Sequence, residues 1–260
     1  MMRRSLAVAV ASAVAFAASP AAAQYAGNEL SGATPKHFES PQHVALELRF
    51  SPYQPNIDSA PGVSGAPYQS VFGTMPRLLG SLEVDWQALR IPDLGTLGLG
   101  GSVGYTSMSA LAPFSAGSGR SGLSGETTSL DVFPMYAVVV LRADVLLRNW
   151  KFPIVPYGKA GVGMALWRAY NDAGTSSYTD ASGHGVSGKG YTLGTQFAAG
   201  LALSINWLDP RAARALDNGT GINNTSLFAE WMVSKLDGFG STKALYVGSS
   251  TWVAGLSFEF

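Results

Sequence analysis

Four groups of residues have the types and spacing that chemistry requires. Gly100-Gly101-Ser102-Val103-Gly104 matches G-x-S-x-G, the pattern that presents a nucleophilic serine on a sharp strand-to-helix turn. Here Ser102 falls inside an alternating stretch with no helical pattern after it, so small lumen residues are the expectation. Gly183-His184-Gly185-Val186-Ser187-Gly188-Lys189-Gly190 approaches a phosphate-binding loop, but Gly190 stands where the magnesium-binding Ser or Thr is required. A Gly/Ser-rich external loop is expected instead.

The histidines are His37, His43 and His184, none at a metal-ligand spacing. His43 or His184 with Ser102 is the best available set for an outer-membrane enzyme acting on lipid. The fourth group is a set of charges: Glu47, Arg49, Glu83, Asp85, Arg142, Lys159, Glu230 and Glu259. Its carboxylates could hold a cation or act as an acid–base pair. Both signs are present, however, and buried charges must be paired, so a structural ion-pair network is expected. No catalytic, cofactor-binding or metal residue is assigned, and no cofactor is expected.

The elements that must position these groups follow from composition and alternation. The 260 residues include 31 glycines and no cysteine, and only 13% are charged. Without cysteine there is no disulfide framework or thiolate nucleophile. Lys plus Arg and Asp plus Glu both number 17, which leaves no basic excess for nucleic acid. Hydrophobic residues make up 47%, too many for a disordered chain.

Residues 1–23 are expected to be a cleaved signal peptide: Arg3 and Arg4 precede an apolar stretch from Leu6 to Ala18 and the small residues Ala21-Ala22-Ala23. Removing it leaves the mature chain two charges on the acidic side. Residues 24–42 are expected to be an N-terminal periplasmic segment.

From residue 43 to 260 the chain alternates between apolar and polar positions with a period of two. In the last segment Trp252, Ala254, Leu256, Phe258 and Phe260 share one face, while Val253, Gly255, Ser257 and Glu259 share the other. Comparable patterns place strands near 43–51, 77–88, 95–107, 129–142, 154–167, 192–206, 225–236 and 248–260. Eight strands with alternate long and short connections predict an all-β, eight-stranded, antiparallel, up-and-down transmembrane barrel of a Gram-negative outer membrane. Long loops are expected near 52–76, 108–128 and 168–191, and a short helix after Asp209-Pro210. Asn218-Gly219-Thr220 and Asn223-Asn224-Thr225 match glycosylation acceptors, but a turn is the expected reading.

Alternation alone does not say which face points outward, and a soluble periplasmic ligand-binding barrel would put the apolar face inside. Charges of both signs share one face, whereas the other carries Trp86, Phe197, Trp207, Trp231, Trp252, Phe258 and Phe260. That distribution favours a charged lumen and a lipid-facing exterior with an aromatic girdle. Eight strands leave an interior just wide enough for side chains, so a diffusion porin is not expected. Partners are then outer-membrane lipid, the barrel-assembly machinery and periplasmic chaperones. Any extracellular loop partner is unknown.

Several stretches resemble an outer-membrane β-barrel family of myxobacterial type with no assigned function. They are Leu48-Arg49-Phe50-Ser51-Pro52-Tyr53-Gln54-Pro55-Asn56-Ile57-Asp58, Pro156-Tyr157-Gly158-Lys159-Ala160-Gly161, and Leu216-Asp217-Asn218-Gly219-Thr220-Gly221-Ile222-Asn223-Asn224-Thr225 running into Leu227-Phe228-Ala229-Glu230-Trp231. Histidine often stands in that family where Asn224 is here. The resemblance implies fold and location and no activity.

Overall fold

The computed structural model describes residues 43–114, 119, 121–150, 152–179, 185–206, 208–209, 211, 216–217 and 219–260. The expected signal peptide (1–23), the segment 24–42, His37, His184 and Trp207 lie outside the described residues.

Eight long strands follow one another around a ring: β1 (Val44–Tyr53), β2 (Arg77–Ile91), β3 (Gly95–Pro113), β4 (Leu123–Arg142), β5 (Ile154–Asn171), β6 (Lys189–Ser204), β7 (Asn224–Leu236) and β8 (Ser249–Glu259). Each pairs antiparallel with its neighbours, and β1 closes the ring on β8, with Ala45 opposite Glu259 and Phe50 opposite Ala254. Phe260 and Val44 fasten the seam further, the Phe260 N–H donating to the Val44 carbonyl at 2.8 Å. Closure leaves the ring without an exposed edge, as a barrel in lipid requires.

Leu78, Leu82, Val84, Trp86, Leu99, Val162, Leu201 and Trp231 are exposed on the outside. Glu47, Arg49, Glu83, Lys159, Gln196 and Glu230 are buried within. The expected assignment of faces therefore holds, with the apolar face outward.

The connections differ from expectation in several respects. β3, β4 and β5 extend several residues past their expected ends, so only 114–122 joins β3 to β4 where a loop over 108–128 was expected. The Gly/Ser-rich sequence there still alternates, and mutual pairing carries both strands upward, with Ala110 opposite Thr128. Between β5 and β6, Ser177–Thr179 and Gly185–Ser187 pair as a small hairpin, so part of the expected phosphate-loop-like stretch is strand.

At the opposite rim β2 turns into β3 through Pro92 and Asp93. Asp93 has φ of 59°, and the Leu94 N–H bonds the Ile91 carbonyl, a type II pattern with Pro at its second position. β4 reaches β5 through a short helix, Val145–Trp150. Arg211, Leu216, Asp217, Gly219 and Thr220 are helical, and the Arg211 N–H donates to Asp209 Oδ1 at 3.0 Å. The turn expected at Gly219-Thr220 is thus helical. Asn224-Thr225 is likewise no turn, because it opens β7, where alternation buries Asn224.

Candidate functional site

The interior has two layers. In the lower layer, nearer the short-turn rim, seven ionisable side chains converge from five strands. β1 contributes Glu47 and Arg49, and β2 contributes Glu83 and Asp85; Arg142 ends β4, while Lys159 and Glu230 come from β5 and β7. Alternation within each strand aims all of them inward.

Arg142 Nη2 donates to Glu47 Oε1 and to Asp85 Oδ2, each at 2.6 Å. Arg49 Nη1 donates to Glu47 Oε2 at 2.7 Å and lies 3.1 Å from Glu83, while Nη2 bonds Glu230. Lys159 Nζ donates to Glu47 Oε2 at 2.7 Å, bonds Glu83, and lies 3.7 Å from Glu230. Glu47 therefore faces all three cations. Glu259 stands at the edge: its carboxylate is 4.0 Å from Arg142 and accepts from Asn224 Nδ2 at 2.9 Å.

Two aromatic side chains that are not among the expected lumen residues stand against these charges. The Tyr157 hydroxyl donates to Glu230 Oε2 at 2.9 Å, and Arg142 and Lys159 lie 5.4 and 5.2 Å from its ring centroid. Phe228 receives Arg49 at 5.6 Å. Both aromatics sit two residues from a predicted lumen charge, so the same alternation marks them.

Glycines face the charges across the ladder: Asp85 opposes Gly100, Arg49 opposes Gly255, and Glu230 opposes Gly200. A Cβ on Gly100 would lie 2.3 Å from Asp85 Oδ1, and one on Gly200 would lie 2.6 Å from the Glu230 Cβ. Within the G-x-S-x-G match, Gly100 makes room for a lumen charge.

The upper layer is apolar. Tyr53, Tyr68, Leu79, Met108, Leu130, Val132, Ala165, Leu236 and Val247 form one buried cluster. Tyr68 comes from helix α1 (Pro67–Phe72) in the β1–β2 loop, with Pro67 in its first turn and Gly73 at its C-cap. Asp58 caps this helix from outside it, accepting from the Tyr68 N–H at 2.6 Å and the Gln69 N–H at 3.0 Å. The loop thus folds into the barrel mouth, where the Tyr68 hydroxyl meets Met108 Sδ at 3.3 Å. Between the layers Arg49, Ser51, Ser102, Tyr136 and Gln196 line a small enclosed cavity.

Ser102 lies in unbroken strand, paired with Glu83 on one side and Tyr136 on the other, which is not the turn a nucleophile elbow requires. His43 is exposed at the seam, its N–H donating to the Phe260 carbonyl. The carboxylates of Glu47, Glu83 and Asp85 come within metal-ligating reach of one another. Arg142 and Lys159 already meet their charge, so this donor set is that of an ion-pair network.

Outside, Trp86, Phe197, Trp231 and Trp252 are exposed, and Trp231 stands directly opposite Trp252. Phe197 and Trp231 fall mid-strand and belong to the apolar belt rather than to a terminal girdle. Trp86 opposes Val44, and Phe258 opposes Leu46, both near the short-turn rim.

A closed antiparallel ring with this exterior and this filled interior defines an eight-stranded transmembrane β-barrel of the outer-membrane type. Solved barrels of that type are similar in architecture. OprG of Pseudomonas aeruginosa is 11% identical, with 85% of this chain and 97% of that chain covered and a TM-score of 0.43. Ail of Yersinia pestis, solved with the heparin analogue sucrose octasulfate, is 15% identical over 84% and 97%, with a TM-score of 0.39. Neisserial surface protein A is 16% identical over 85% and 98%, again at 0.39. At these scores the likeness carries no argument about function. No family model and no curated protein matches the chain.

Proposed function

We propose that this chain is a non-catalytic, non-conducting barrel of the bacterial outer membrane, with a structural or surface-interaction role carried by its extracellular loops. The observation that carries this reading is the double closure of the lumen. The ion-pair network fills the lower layer, and α1 with its apolar cluster fills the mouth. An interior occupied in this way leaves the loops and rims to meet other molecules.

Export through the signal peptide at 1–23, with 24–42 remaining in the periplasm, belongs to the same reading. So do outer-membrane lipid as solvent and the barrel-assembly machinery and periplasmic chaperones during biogenesis. Kinship with the myxobacterial-type family is supported by the three sequence stretches that resemble it.

Planar-bilayer recording of the refolded mature protein tests the proposal. A sealed lumen gives no conductance steps, whereas discrete steps that persist after repurification would overturn it.

A further inference from the structure

We propose that the outer wall formed by β4, β5 and β6 binds one phosphorylated lipid of the outer leaflet, with an acyl chain in an apolar groove and its phosphate between Arg168 and Lys189. The inference rests on reading the chain as an outer-membrane barrel and goes beyond it in naming a bound lipid and its place.

Three rows of outward residues lie in register across these strands. Met135, Met164 and Leu193 form the first, Phe133, Leu166 and Tyr191 the second, and Asp131, Arg168 and Lys189 the third, nearest the extracellular side. Moving outward from the barrel middle, the wall is therefore apolar, then partly aromatic, then charged. A phosphorylated lipid has the same order of chemistry, from chain to interface to headgroup.

The first row lies in a groove of about 450 Å³, with Ala137 and Val162 below it and Phe239 above. Phe239 is 65% exposed and holds a left-handed φ of 57°, a conformation that costs a side-chain-bearing residue energy. The Gly238 N–H donates to the Leu193 carbonyl at 2.8 Å, which fixes the loop against the groove.

Arg168 and Lys189 are exposed and directly opposite each other, a like-charge pairing that destabilises a sheet, and Asp131 stands opposite Arg168 on its other side, leaving the Lys189 side of the row without an acidic neighbour across the ladder. Among the described residues neither is in an ion pair. The nearest carboxylate in the row, Asp131, lies 3.4 and 3.5 Å from the Tyr105 and Tyr170 hydroxyls. The Arg168 guanidinium is held in place over the Tyr170 ring at 5.5 Å, and its Nε donates to Thr175 Oγ1 at 3.0 Å.

Native mass spectrometry of the mature protein in a zwitterionic detergent, titrated with diphosphoryl lipid A, tests the site. One bound lipid is expected for the parent protein. The R168Q/K189Q variant should bind about thirtyfold more weakly, the scale set by two interfacial cations. F239A should weaken binding by a smaller factor. R90Q/R211Q removes the same net charge at the short-turn rim and should leave binding unchanged.

Equal loss in both double variants would mean bulk charge attraction, and no loss in R168Q/K189Q would mean no such site; either overturns the proposal. Displacement of the lipid by millimolar inorganic phosphate would overturn its lipid commitment. Heat-modifiable gel mobility, read on every variant, reports barrel folding separately. Absence of a shift in the parent protein counts against the outer-membrane reading itself.

Discussion

Arg142 and Asp85 meet at 2.6 Å across the interior of the barrel, although β3 lies between their strands in the wall. This bond ties β4 to β2 through the lumen, and the second acceptor of Arg142, Glu47, extends the tie to β1. The network therefore braces the ring from within.

Removing one cation from this brace should be expensive. Lys159→Met leaves Glu47 and Glu83 each short of a partner. The expected loss is roughly 3–5 kcal/mol of folding stability, the usual cost of breaking a buried ion pair. Urea titration in detergent micelles measures it. Lys159→Met/Glu83→Met should recover part of that loss, and additive losses in the double variant would contradict a shared network.

The glycines facing the charges give a second prediction. Gly100→Ala pushes a methyl group toward Asp85 and should cost about 1–3 kcal/mol through overpacking. Gly101→Ala, the next residue along, has open space around its added carbon and should change stability by less than about 0.5 kcal/mol. Thermal melts of the two single variants, compared side by side, check the contrast.

Much of this arrangement is legible in the sequence, for a physical reason. A strand buried on one side and bathed in lipid on the other has to alternate, so Glu83-Val84-Asp85-Trp86 declares its faces without help from the rest of the chain. The same rule puts the charges on one face of their strands. It does not give their partners, because Asp85 and Arg142 are far apart in sequence and register is a property of the closed ring. The same limit hid the glycines, whose meaning depends on what stands across the ladder. The stretch 52–76 reads in the sequence only as a long loop. Its α1 helix is capped by Asp58, ten residues before Tyr68, and no local signal carries that contact.

The plug at the mouth should respond to alkaline pH. Burial raises the pKa of the Tyr68 hydroxyl above its usual value. A group with a raised value in the folded state stabilises fully below its unfolded value, and that stabilisation is lost as pH climbs through the alkaline range. Limited proteolysis of loop 54–76 should therefore accelerate above about pH 10. Tyr68→Phe should remove this pH dependence while keeping the ring, so an unchanged pH profile in that variant would assign the effect elsewhere.

Charge placed on the outer wall should be far costlier than charge in solution-exposed loops. Phe197 is exposed halfway along β6, directly opposite Val233 of β7 and Ala160 of β5. Phe197→Arg should destabilise the barrel in lipid by roughly 2–4 kcal/mol, the cost of a cation near the bilayer midplane. Equilibrium refolding into phosphatidylcholine vesicles measures the difference from the parent protein.

The lumen network, the plugged mouth and the outer-wall lipid site all require the apolar face to point outward, and one measurement reads that orientation directly. A variant retaining Trp231 as its single tryptophan, refolded into vesicles of lipid brominated along the acyl chain, reports whether that ring touches lipid. The structure predicts strong quenching of Trp231 fluorescence relative to unbrominated vesicles. Unquenched fluorescence, with the protein remaining in the aqueous phase without detergent, would contradict a lipid-facing exterior.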